Sequence, residues 1–291
     1  MSTQLLESIA QLRDRVAGAR RAGLQVGLVP TMGALHAGHA SLIDRARQEC
    51  RCVVVSIFVN PLQFDRPDDL DRYPRTLPED VALCAAHGVD LVFAPSLSEM
   101  YPSPPLCVVD VGRIGEHLCG RHRPGHFRGV ATVVMKLLQI VLPDRAYFGE
   151  KDAQQLAVIR QLIRDLNVPV RVEAVATVRE ADGLALSSRN RQLNPEERAL
   201  ATSLYGALCE ARRQISQGIR DAGAVKAAAA TQVTQNDRLN LEYLEIVDPE
   251  DMQPVERIAG PVVVAGALWV GSTRLIDNLA CSPPAARLAG R

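Results

Sequence analysis

Short runs of consecutive apolar residues alternate along this chain with segments whose apolar positions recur every three to four residues. Leu24 to Pro30 is β-like, and Ala40 to Cys50 has helical spacing. Cys52 to Val59, CVVVSIFV, is an almost unbroken β-branched run, as expected of a strand covered on both faces. Leu77 to His87 reads as a helix ended by Gly88, Asp90 to Ala94 as a strand, and Leu106 to Val111 as a further candidate strand. His126 to Leu142 is a long apolar helix stopped by Pro143. Arg145 to Phe148 is a short strand, Lys151 to Leu166 a helix, and Val168 to Val175 a strand. Repeated strand–helix–strand order predicts an α/β fold, a parallel sheet wound on both faces.

The texture changes near Val178. Asn194-Pro195-Glu196-Glu197 has the form of a helix start, with an N-cap, Pro at the first helical position and acids in the first turn. One long helix should run from there to about Gln217, followed by an Ala-rich one around residues 221–235. Three β-like runs close the chain: Leu239 to Val247, Val262 to Val270 and Thr273 to Leu279. Helices followed by adjacent strands make an α+β pattern. The expected division is a larger domain over residues 1–178 and a smaller C-terminal one over 179–291.

Composition narrows the function classes. The chain has 291 residues, 47% hydrophobic and 23% charged, as expected of a soluble globular protein with a full core. Its 33 basic and 33 acidic residues give no cationic excess, so nucleic acid is not an expected partner. The N-terminal MSTQLLESIAQLRDRVAGARRAG reads as an amphipathic helix and not as a secretion signal. No apolar run approaches the length of a membrane span. Seven scattered cysteines without a C-x-x-C pair suit a cytoplasmic chain with reduced thiols.

Candidate chemistry sits where strands hand over to helices. In VPTMGALHAGHASLI a β-like run ends at Pro30, and His36 and His39 follow at the next helix start. Ligands of open α/β sheets bind beyond the carboxyl ends of the strands. A helix N-terminus there offers free N–H groups and a positive dipole end to an anion. Gly33 and Gly38 allow close approach, and imidazoles donate hydrogen bonds to phosphate oxygens either as cations or as a suitable neutral tautomer. Taken alone, the four-residue pattern fits a turn with two solvated histidines equally well. Two further stretches point the same way. Gly149-Glu150-Lys151-Asp152 puts a cation at another strand-to-helix corner, and Leu186-Ser187-Ser188-Arg189 supplies hydroxyls and a guanidinium fork suited to phosphate.

The ordered set PTMGALHAGH, FVNPLQF, YPRT, RPGHFRGVATVV, FGEKDAQQL and LALSSRN resembles the pantothenate synthetase family, the pantoate–β-alanine ligases. HAGH itself resembles the H-x-G-H signature of class I nucleotidyltransferases. The resemblance implies a Rossmann-like sheet, a homodimer, and a two-step reaction: pantoate and ATP give pantoyl adenylate and pyrophosphate, and the β-alanine amine then displaces AMP. It implies that Met32, Gly33, His36, Gly38 and His39 form part of the ATP site, with His39 as proton donor. Gly149 to Asp152, Val178 and Leu186 to Arg189 would complete that site, and Lys151 and Arg189 would join the histidines in catalysis. Gln63 and Gln155 would hold pantoate, and Mg2+ would accompany the phosphates without a dedicated protein cage. Ala153 departs from the aromatic residue many relatives carry in the KDxQQ motif.

Other readings compete with these. The rival enzyme is a nucleotidyltransferase acting on a phosphorylated acceptor, which would need extra cations in the pocket. Glu116, His117, Cys119, His122 and His126 lie close enough for a zinc site, although the Arg- and Gly-rich stretch favours a loop. The acids of FDRPDDLDRYP alternate with arginines and so read as a solvated mixed-charge loop, placed to cover the cleft.

Overall fold

The computed structural model describes residues 3–234 and 236–284. A six-stranded sheet is built from β1 (Gln4–Leu6), β2 (Val26–Thr31), β3 (Cys52–Ile57), β4 (Leu91–Phe93), β5 (Arg145–Gly149) and β6 (Arg171–Val175). Their order is β1-β4-β3-β2-β5-β6, and every pairing is parallel. Both faces are covered by helices, so the central strands are buried along nearly their whole length. The chain runs outward from β2 through β3 to one side and returns through β5 to the other. The strand order therefore reverses at the β2/β5 pair, and a crevice opens there beyond the carboxyl ends.

A second sheet holds β7 (Leu239–Val247), β8 (Val262–Val270) and β9 (Thr273–Cys281), antiparallel in that order. Helices Ser203–Ser216 and Ala222–Thr234 pack on it through Leu208, Ile215, Val225 and Ala229. Val263 and Ala265 of β8 join the apolar cluster of the parallel sheet, so the two halves share an apolar contact.

Three expectations change. β1 is an extra strand, and the N-terminal helix spans only Ile9–Arg21, capped by the Ser8 hydroxyl. Three residues are too few to show a period, and their pairing partner lies some ninety positions away. Leu106 to Val111 forms no strand. Pro102, Pro104 and Pro105 lead into it, and Leu106 is 99% exposed. The helix expected from Asn194 to Gln217 is two helices, Pro195–Leu200 and Ser203–Ser216, and the Thr202 hydroxyl bonds back to the Ala199 carbonyl at the break.

Candidate active site

After β2 the chain makes a tight loop with Gly33 (φ 84°) and Ala34 (φ 50°) both left-handed. A non-glycine residue there costs about 1–3 kcal/mol unless its surroundings hold it. Asp80, 2% exposed on the helix Leu77–Ala86, does so: its carboxylate accepts the Ala34 N–H at 2.9 Å and the Leu35 N–H at 2.7 Å. The loop thereby delivers His36 as N-cap of the helix Ala37–Glu49.

The two histidines cap that helix reciprocally. His36 Nδ1 accepts the Gly38 N–H at 3.1 Å, and His39 Nδ1 accepts the His36 N–H at 3.3 Å. A backbone N–H only donates, so both Nδ1 atoms are bare and both rings, when neutral, carry hydrogen on Nε2. Burial, reinforced by Lys151, pushes His36 down to about 4. Burial, then His36 and Lys151, push His39 down to about 3. Near pH 7 the pair is therefore two uncharged Nε2–H donors with ring centroids 4.1 Å apart. The positive charge comes from Lys151, on the turn after β5, whose ammonium stands 3.9 Å from the Asp152 carboxylate.

These groups face one cleft of about 280 Å³ at the β2/β5 reversal. Of the residues expected there, Met32, His36, Gly38, His39, Gln63, Gly149, Lys151, Asp152, Gln155, Val178, Leu186, Ser187, Ser188 and Arg189 all line it. Gly33 and Glu150 do not. Gly33 lies behind the wall with its N–H on the Thr31 hydroxyl, and Glu150 is exposed with its carbonyl turned to Asn278. Gln63 is oriented by Asn60, whose amide donates to Gln63 Oε1 at 3.0 Å, and it donates to Met32 Sδ at 3.1 Å. Arg189 is held by Asp69 at 2.9 Å.

The possible zinc ligands are engaged separately. His126 Nδ1 donates to the Gln63 carbonyl at 2.7 Å while Nε2 accepts from Arg123. Cys119 Sγ lies 3.3 Å from the Tyr243 hydroxyl, and His122 stacks on the Tyr243 ring. Among the described residues no group of three or more His, Cys, Asp or Glu is placed to hold a metal. The acidic stretch expected as a loop instead carries a short helix, Pro67–Arg72, started by its proline. Asp68 pairs with Arg66 and Arg72, Asp65 with Arg123, and Arg66 lies over the Trp269 ring. Sequence reasoning passed over Asn60, Asp80 and Arg123 as site residues and weighed His126 only as a zinc ligand. Asn60, Arg123 and His126 lie inside quoted motifs, whereas nothing local marks Asp80.

Burial and Arg123 push His126 down to about 4. An unfolded histidine titrates near 6.5. As pH falls from 6.5 towards 4 the unfolded chain binds protons that these three buried rings refuse, so the stability present above pH 6.5 is lost through that window. The melting temperature should fall between pH 6.5 and 4.5, and less steeply in His126→Asn, whose amide still donates to Gln63. Superimposable pH profiles of the two proteins would contradict this account.

Residues 4–280 match the model of the pantoate-beta-alanine ligase family. The chain belongs to the pantoate–β-alanine ligase family. It is a ligase that condenses pantoate with β-alanine. It is 52% identical over 276 residues to the pantothenate synthetase of Moorella thermoacetica, covering 95% of this chain and 98% of that one. The pantothenate synthetase structure from Thermus thermophilus superposes with a TM-score of 0.88 at 46% identity, covering 96% of this chain and 99% of the other. The Francisella tularensis pantoate-beta-alanine ligase, complexed with beta-gamma ATP and beta-alanine, superposes with a TM-score of 0.80 at 34% identity, over 96% and 97% of the two chains. These relatives are named for the ligase and not for the nucleotidyl transfer weighed as its rival.

At Gly38 the capped pair leaves little room for a side chain. A Cβ there would stand 2.9 Å from His36 Cε1 and 3.0 Å from its Nδ1, so the ring must turn and give up its cap bond. Alanine near a helix start is otherwise tolerated. Gly38→Ala is therefore expected to lower turnover by about tenfold or more and to cost about 1 kcal/mol of stability from the lost cap bond. Turnover measured beside a thermal melt checks this, and unchanged turnover would count against the capped-pair geometry.

Proposed function

We propose that this cleft binds ATP, pantoate and β-alanine and works through a pantoyl adenylate. A pantoate carboxylate oxygen attacks the α-phosphorus of ATP. An O–P bond forms, the bond from that phosphorus to the bridging oxygen breaks, and pyrophosphate leaves. The β-alanine amine then attacks the acyl carbon. The C–O bond to AMP breaks, AMP departs with its electron pair, the nitrogen gives up a proton, and pantothenate remains.

The observation that carries this reading is the convergence of His36 and His39 Nε2–H with Lys151 across the β2/β5 reversal, in the same cleft as Gln63 and Gln155. Two anions meet in the first step, so the site must offer donors and charge that are already in place where negative charge builds. Ser187, Ser188 and Arg189 supply further donors once phosphate replaces Asp69 on the guanidinium. Gln63 and Gln155 are neutral and both donate and accept, which suits a hydroxy acid. Among the described residues Asp152 is the cleft-lining carboxylate not bound to an arginine. One such carboxylate fits a magnesium ion held chiefly by phosphate oxygens, whose contribution when bound is to neutralise phosphate charge.

The division near Val178, with residues 179–291 covering the nucleotide side of the cleft, belongs to the same proposal. So does a homodimer, supported by the exposed apolar side chains Leu97, Leu106 and Val108. Seven free cysteines support a cytoplasmic setting.

Omitting each component in turn tests the reaction. Pyrophosphate exchange into ATP should require pantoate but not β-alanine, and free AMP with pantothenate should require all three substrates. Exchange without pantoate, or a stable nucleotidylated product in place of free AMP, would overturn the reading.

A further inference from the structure

The turn Glu150–Asp152 that presents Lys151 has no side-chain cap of its own. Its two leading carbonyls are held from the far end of the chain. The Asn278 side-chain amide, on β9, donates to the Glu150 carbonyl at 2.9 Å and to the Lys151 carbonyl at 2.8 Å. Both donors of one amide are thus spent on the backbone of one turn.

Asn278 is itself fixed. Its N–H bonds the Asp277 carboxylate at 2.8 Å, and Asp277, 6% exposed, takes both Arg179 terminal nitrogens at 2.6 and 2.9 Å. Arg179 also donates to the Gly183 carbonyl at 3.0 Å and lies 4.3 Å over the Tyr205 ring. Residues 179–186 lead directly to Ser187, Ser188 and Arg189. The adjacent residues Asp277 and Asn278, midway along β9, therefore anchor both turns that face the cleft from the nucleotide side.

We propose that Asn278 is a positioning residue for the ligase reaction, clamping the backbone of the Lys151 turn so that the ammonium is held where phosphate charge develops. The proposal rests on the reading of Lys151 given above. It makes docking of the C-terminal sheet a condition for a correctly aimed lysine. A bidentate clamp on the carbonyls restricts the turn, whereas any other well-packed side chain would only fill space.

The test is a double-mutant cycle on pantoate-dependent ATP–pyrophosphate exchange, with melting temperatures alongside. Asn278→Ala should slow the maximal rate about 10- to 100-fold. Asn278→Asp, which cannot donate to carbonyls, should slow it at least as much, and Asn278→Ser, with one donor, should fall between wild type and alanine. In a Lys151→Ala background, adding Asn278→Ala should change the residual rate less than about twofold, because the group it positions is gone. Wild-type exchange by a folded Asn278→Ala, or losses that multiply in full in the double variant, would overturn the proposal. Wild-type exchange by Lys151→Ala alone would instead overturn the role given to the lysine.

Discussion

His39→Asn should lower pantoate-dependent ATP–pyrophosphate exchange by about 10²–10³-fold, the usual cost of removing one donor from a site that stabilises developing charge. The asparagine Oδ1 sits where histidine has Nδ1, so it still accepts the His36 N–H that closes the helix cap. What it lacks is the Nε2–H of this cleft-lining ring. Histidine to asparagine thus separates the two jobs of this ring. His39→Ala removes both and should show a similar kinetic loss with a further destabilisation of about 1 kcal/mol from the missing cap. Because His39 is neutral near pH 7, the loss should be the same at pH 7 and pH 8. Exchange rates and thermal melts of the two variants settle the matter, and near-normal exchange by His39→Asn would remove the imidazole from the mechanism.

Gly129→Ala should damage both stability and pantoate binding with a single added methyl. Within a helix this change normally stabilises by about 0.5–1 kcal/mol. Here the new Cβ would fall 2.1 Å from the Leu62 oxygen, 2.4 Å from its carbonyl carbon and 2.6 Å from the Gln63 nitrogen. All three are backbone atoms, so the helix His126–Val141 or the turn Pro61–Gln63 must move. Overpacking of this kind costs about 1–3 kcal/mol, which outweighs the propensity gain. The same move strains the Asn60 amide, which donates both to the Gly129 carbonyl and to Gln63. A fall in melting temperature together with a raised KM for pantoate is the expected pair of results. Destabilisation with an unaltered pantoate KM would detach Gln63 from pantoate binding.

Much of the candidate site was legible along the chain. The β-branched run Cys52 to Val59, the stop at Pro143 and the glycine turn at Gly149 each reflect a local constraint, so the strands and helices around the cleft were found to within a few residues. Motif order added the grouping of His36, His39, Lys151 and Arg189. The strand β1 and the lack of one at Leu106 were not legible, because pairing depends on a partner far away and on the prolines just upstream.

The sequence by itself determined the alternation of strand and helix, the corners where the cleft-lining side chains stand, and the family to which the chain belongs. These follow from periodicity, turn chemistry and short-range order, which act over a few residues. Only the tertiary structure decided that both histidines are uncharged Nε2 donors, that Asp80 holds a left-handed loop from 46 positions away, and that Asn278 reaches 127 positions back to the Lys151 turn. Burial, tautomer and long-range hydrogen bonds depend on what folding brings alongside, and no local pattern in the chain encodes that.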